Sequence, residues 1–164
     1  MLPPPLQAHP LVAALRSWDA TALLEGKADR GELTLTVDAE KILPMCRYLR
    51  QHHGFNRLSS ITAVDWHPSD PRFEIVYHLH SLEDNRRVRL KCRIPENAEL
   101  DSVTPVWRAA DWYEREVWDL FGIRFRNHPN LRRILLPEDW RDHPLRKDFP
   151  VHGRRYDYRE EGSP

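Results

Sequence analysis

The chain has 164 residues, with 25 Lys and Arg balanced by 25 Asp and Glu and a formal net charge of zero. Its mean hydropathy is −0.69, and no apolar run approaches the ~20 residues of a membrane span. The neutral balance argues against a general nucleic-acid binder, which carries a basic excess. The N-terminus MLPPPLQAHP lacks a basic region followed by an apolar one, so no signal peptide is expected. Six Trp, five Tyr and five Phe within 40% hydrophobic content suffice for one modest core.

In chain order, Leu11, Ala14, Leu15 and Trp18 fall at helical spacing, and Pro10 suits a first turn, so a helix is predicted over 9–24. A short strand is expected around 21–27, overlapping its end. Glu32 to Val37, ELTLTV, alternates polar and apolar residues and reads as a half-buried strand. Asp38 is placed to cap a helix running to His53, with Ile42, Leu43, Met45, Cys46 and Leu49 on its apolar side and Gly54 to end it. Pro44 sits inside that helix and is expected to delay or kink it. Strands are predicted over 56–66, 73–81 and 86–94, the last two as a hairpin. Thr104 and Pro105 form an N-cap and first-turn pair for a helix over 105–121, and Gly122 can end it. The fold class expected is α+β with two layers: a mixed or mostly antiparallel sheet of about five strands, covered by helices and followed by an extended proline-rich segment.

From Ile123 to Pro150 neither a period of 2 nor one of 3.6 is sustained, and Pro129, Pro137, Pro144 and Pro150 interrupt regular structure. Yet the stretch from Glu114 to Pro150 carries Trp118, Leu120, Phe121, Ile123, Phe125, Ile134, Leu135, Leu136, Trp140 and Phe149 among its many charges. A long irregular segment with that apolar content is expected to lie ordered against its own domain or a partner. The chain therefore divides into an α+β domain over 1–122, an irregular docking strap over 123–150 and a polar tail over 151–164.

Catalytic patterns are sparse. The sequence holds no GxGxxG, Walker A, HExxH or GxSxG motif. Cys46 and Cys92 stand alone and read as small buried apolar residues. His78 and His80 share one face of a strand, but no Cys, Asp or Glu at ligand spacing accompanies them. His128 and His143 each precede proline, which suits loop geometry better than proton transfer. Glu114, Glu116 and Asp119 could form an acid–base cluster. The arginines nearby, Arg115, Arg132, Arg133 and Arg146, with Lys147, make an ion-pair network the simpler reading, with carboxylates held charged. Neither catalytic, metal nor cofactor-binding residues are expected in this chain.

The stretch resembles the family of the C subunit of respiratory complex I, the NADH:quinone oxidoreductase. The resemblance is carried by Glu114-Arg115-Glu116 through Asp119, Phe121-Gly122-Ile123 with Phe125, and His128-Pro129. It continues through Leu131-Arg132-Arg133-Ile134-Leu135 and His143-Pro144-Leu145-Arg146-Lys147-Asp148-Phe149-Pro150. Trp118 stands where tyrosine is commoner. The resemblance implies a hydrophilic, non-catalytic subunit of the peripheral arm of a proton-translocating enzyme. It would pack against the quinone-site and iron–sulfur subunits, on the cytoplasmic side of the cell membrane. FMN and iron–sulfur clusters are then expected in other subunits and no cofactor in this one. The equivalent subunit of a membrane-bound energy-converting hydrogenase or a ferredoxin-dependent quinone reductase is the alternative. The residues expected at the partner interface are Glu114, Arg115, Glu116, Asp119, Phe125, His128, Arg132, Arg133, His143, Arg146, Lys147, Asp148 and Phe149.

Overall fold

The computed structural model describes residues 4–150, and the tail expected over 151–164 lies outside them. A short turn of helix, α1 (Pro4–Gln7), precedes α2 (Pro10–Trp18). Strands β1 (Leu23–Asp29) and β2 (Glu32–Val37) follow, then α3 (Ile42–His53). Next come β3 (Arg57–Asp65), β4 (Phe73–Ser81), β5 (Arg86–Ile94) and the short β6 (Glu99–Asp101). Helix α4 (Ala110–Phe121) and β7 (Arg124–Arg126) complete the regular structure. The five long strands form a mixed sheet in the order β1-β2-β5-β4-β3, antiparallel except where β2 meets β5.

Alternation decides which face is buried. Phe73, Ile75, Tyr77 and Leu79 of β4 and Val88, Leu90 and Cys92 of β5 point inward, while Arg87, Arg89, Lys91 and Arg93 point outward. On the inward face, Ile42, Met45, Cys46 and Leu49 of α3 and Ala110, Val117 and Phe121 of α4 join the strand residues in one cluster. Each Val, Leu, Ile, Met or Phe among them contributes roughly 1.5–3 kcal/mol by leaving water. Cys46 and Cys92 belong to this core, and burial pushes both thiols well up from their ordinary range.

Two expectations are corrected and one alternative is decided. The first long helix ends at Trp18, not near residue 24. Asp19 turns extended and its carboxylate accepts bonds from the Thr21 amide and hydroxyl and from Lys41, which redirects the chain into β1. Of the two outcomes expected at Pro44, the delay is the one found: α3 begins at Ile42, later than its Asp38 cap alone would place it, and Pro44 is its third residue. Its missing N–H is one that no helix could pair. A 3₁₀ turn over Ala39–Lys41, capped by Asp38, leads into it. The last helix begins at Ala110 rather than at residue 105. Before it, Val106 and Trp107 donate to the Val103 carbonyl and the Trp107 indole donates to Phe55 O, so the tryptophan anchors a turn there. The parallel pairing of β6 with β7 was not foreseen, since three-residue strands carry no readable period.

Candidate functional site

Helix α4 ends at Gly122, which is left-handed at φ +77°. Like any helix it leaves its last four carbonyls without intrahelical donors. Gly122 N–H serves Trp118 O. The 123–150 segment serves the other three. His143 Nδ1 donates to Asp119 O at 2.9 Å, Leu145 N–H to Leu120 O at 3.1 Å, and Arg146 Nε to Phe121 O at 2.6 Å. The run His143-Pro144-Leu145-Arg146 is thus a C-terminal cap supplied by a distant stretch of the same chain. The two cationic arginines near it, Arg133 and Arg146, also suit the negative end of the helix dipole. The approach is close: a Cβ on Gly122 would lie 2.6 Å from the His143 ring and 2.9 Å from Arg146 Nη2.

Asp119 holds the same segment from its side. One carboxylate oxygen accepts the successive N–H groups of Ile134, Leu135 and Leu136 at 2.8–3.0 Å, and the other accepts Arg133 Nη1 at 2.6 Å. Burial opposes its charge, but those N–H groups and the Arg133 guanidinium outweigh burial and hold its pKa below the ordinary value. Arg115, one turn earlier, donates to the carbonyls of Arg132 and Arg133 and lies over the Trp112 ring. Arg133 lies over Trp118 and donates to Asp142 O.

A second anchor ties the end of the segment to the sheet. Arg72, only 4% exposed, forms a two-point pair with Asp65 at 2.8 and 2.9 Å and another with Asp148 at 2.7 and 3.1 Å. Glu96 approaches the same guanidinium at 2.9 Å, and Lys147 N–H donates to Asp65 at 2.8 Å. Burial opposes the Asp65 charge, yet the bonds from Arg72 and from the Lys147 and His67 amides hold its carboxyl well below the usual range. The Arg72 bond likewise lowers Asp148.

Glu114 behaves differently. It is fully buried, with one oxygen accepting Val103 N–H at 2.7 Å and the other accepting the Ser102 hydroxyl at 2.6 Å. Burial raises its pKa to about 7 against these bonds, and Asp111 adds to the rise. The expectation that every helix carboxylate here is held charged therefore fails for Glu114, whose bonds come from an amide and a hydroxyl and not from a cation. His128 accepts Asn130 N–H at Nδ1, so in the neutral ring Nε2 carries the proton and donates to Asp111 O at 3.2 Å. Burial lowers its pKa.

Of the thirteen residues expected at an interface, Glu114, Arg115, Asp119 and Phe125 are buried within this chain. His128, Arg133, His143 and Arg146 are half-buried at the seam between α4 and the segment, Phe149 is half-buried near the segment's end, and Glu116, Arg132, Lys147 and Asp148 are exposed. The acid–base trio does not converge: Glu116 faces solvent, and Glu114 and Asp119 are spent on separate bonds. His78 and His80 lie on the outward sheet face, with His80 bonded to Asn85. Sequence reasoning missed Asp65, Arg72, Glu96 and Ser102. Asp65 was legible in principle, since it occupies the inward parity of β3 after Ile61 and Ala63. Among the described residues no group of three or more His, Cys, Asp and Glu could hold a metal ion, and no helix is long and apolar enough to cross a membrane.

Six large apolar groups among the described residues are exposed: Trp112, Leu135 and Leu145, at 58%, 61% and 52%, on α4 or the segment bound to it, and Leu24, Trp66 and Leu82 on the rest of the domain.

Residues 35–155 match the family described as the respiratory-chain NADH dehydrogenase 30 kDa subunit. The NADH-quinone oxidoreductase C subunit of Citrifermentans bemidjiense is 48% identical over 87% of this chain and 89% of its own. A C subunit from Rhizobium etli is 53% identical over 71% and 64%. A chain from the archaeal membrane-bound sulfane sulfur reductase superposes with a TM-score of 0.77 at 30% identity, covering 94% of each. The chain belongs to the family of the 30 kDa subunit of respiratory-chain NADH dehydrogenase, whose relatives here are NADH-quinone oxidoreductase C subunits.

Proposed function

We propose that the chain is a non-catalytic structural subunit of a proton-translocating NADH:quinone oxidoreductase. In this reading residues 123–150 are a docking strap that packs against the quinone-site and iron–sulfur subunits of the peripheral arm, on the cytoplasmic side of the membrane. FMN and the clusters belong to those partners, and this chain carries no cofactor. The observation that supports the reading is the display of Trp112 on α4, and of Leu135 and Leu145 on a segment fastened to that helix by the buried Asp119–Arg133 pair. A loop so ordered, yet leaving its large apolar groups in water, fits a surface completed by a partner. Within that surface Glu116, Arg132 and Lys147 are the charges exposed toward a partner, Asp148 is held by Arg72 at its edge, and Glu114, Arg115, Asp119 and Phe125 shape it from beneath.

The test is a Leu135→Glu/Leu145→Glu variant, tagged and purified from native membranes. The folded subunit should be recovered without the quinone-site and iron–sulfur subunits. Recovery of the intact complex at wild-type yield would refute the docking role. The likeness to the sulfane sulfur reductase chain supports a second reading, the equivalent subunit of a hydrogenase or ferredoxin-dependent relative. Identification of the donor-binding chains in the same purification separates the two: flavin- and NADH-binding subunits favour the first reading, and their replacement by hydrogenase or ferredoxin-binding subunits the second.

A further inference from the structure

The outward face of the sheet carries a charge arrangement that the strap does not use. Cross-strand register places Arg57 opposite His80 and His80 opposite Arg87, so three basic side chains stand in one row across β3, β4 and β5. The next row runs Ser60, His78, Arg89, Thr34 and Lys27. Elsewhere on this face each cation is matched. Arg89 meets Glu32 at 2.7 Å, Lys91 meets Glu74 at 2.7 Å, and Arg93 donates to Pro71 O while lying over Trp66. Arg57 and Arg87 are exposed and form no ion pair with any described residue. Two strands apart on one face, these arginines have no carboxylate of the described residues within ion-pair distance.

We propose that this end of the outward face is a second docking surface, which takes a carboxylate-rich segment of a partner polypeptide laid across β3, β4 and β5. Charge complementarity identifies the occupant. Adjacent strands lie ~4.8 Å apart, so the two unpaired arginines are rooted roughly 9–10 Å from each other. Both line one open groove of about 500 Å³, in which Glu32 is already held by Arg89. A single phosphate would need convergent donors, whereas Asp or Glu side chains spaced along an extended chain match separated cations.

The experiment uses the complex purified from native membranes through a tag on this chain. A photoreactive amino acid replaces Ser59, which is exposed and lines the groove, and the captured peptide is identified by mass spectrometry. A peptide with several Asp or Glu residues, from a co-purifying chain, is expected. Its yield should fall about tenfold or more in R57E/R87E, since like-charge contacts are strongly unfavourable, and should fall as salt rises. R47E/R50E, with the same charge change on α3, should leave the yield unchanged. A captured peptide without acidic residues, a yield indifferent to R57E/R87E, or displacement by inorganic phosphate at millimolar concentration would each overturn the proposal. A parallel probe at Leu135 reports on the strap. Capture at 135 without capture at 59 rejects this surface alone, and capture at 59 without 135 rejects the strap reading alone.

Discussion

The pairing of Asp119 with Arg133 offers the sharpest test of how the 123–150 segment is held. In Asp119→Asn the side-chain oxygen can still accept from Ile134, Leu135 and Leu136, but the new amide group faces the Arg133 guanidinium donor to donor. The side chain of Arg133 is 8% exposed and that of Asp119 0%, so the pair is screened little by water. Removing one member of such a pair leaves an uncompensated buried charge, which costs about 3–5 kcal/mol. Arg133→Ala should be milder. Asp119 keeps three N–H donors and loses one charged bond, worth about 1.5–3 kcal/mol. The double variant should cost clearly less than the sum, because the stranded arginine is gone.

Urea unfolding of the four proteins gives the cycle, and limited proteolysis within 123–150 reports locally. The segment should become cleavable in Asp119→Asn while the sheet core stays resistant. Two outcomes would refute the reasoning. One is additivity within about 0.5 kcal/mol, the level found for sites that do not interact. The other is an Arg133→Ala penalty larger than that of Asp119→Asn.

Glu114 gives a prediction of opposite sign in pH. Its folded pKa of about 7 lies above the ordinary 4.5. Its contribution is therefore complete below that lower value and is lost as pH rises toward 7, by an amount on the order of 3 kcal/mol. Glu114→Gln should match wild type near pH 4.5 and exceed it in denaturation midpoint at pH 8, and a wild-type advantage at pH 8 would contradict this. The lowered pKa values of Asp65, Asp119 and Asp148 act the other way: their stability is present above the ordinary carboxylate range and lost as pH falls below it. Proteolysis of 123–150 should therefore rise below about pH 4, near the unfolded carboxylate pKa. Gly122→Ala combines left-handed backbone strain with a Cβ 2.6 Å from His143, whereas Gly54→Ala, at φ +70°, meets only Ser81 Oγ at 3.4 Å. The first should cost ~2 kcal/mol or more and the second nearer ~1 kcal/mol. Equal thermal shifts would mean that the segment does not press on Gly122.

The sheet was readable because alternation is local: 73–81 and 86–94 emerge with the bounds expected from Phe73, Ile75, Tyr77, Val88 and Leu90 alone. The onset of α4 was misplaced because Thr104-Pro105 is sound N-terminal chemistry. The competing event, Trp107 reaching Phe55 O across 52 residues, is tertiary and leaves no local mark. The apolar content of 123–150 led to the expectation of a packed segment, but nothing in the sequence showed how it is fastened. Arg72 and Asp148 meet across 76 residues of sequence, and nothing in the spacing of charges announces a bond of that range.

The placement of these fastenings bears on how an irregular segment can serve as a surface. A helix C-terminus with unpaired carbonyls and a coil with unpaired N–H groups are each unfavourable when withdrawn from water. Here each satisfies the other: the carbonyls of residues 119, 120 and 121 are met by His143, Leu145 and Arg146, and the amides of 134, 135 and 136 by the Asp119 carboxylate. Backbone polarity is thus settled inside the chain, and side chains such as Leu135 and Leu145 need not turn inward to stabilise the coil. That division explains why the segment combines many charges with exposed leucines. The charges fix its path, and the apolar groups remain available on its outer side.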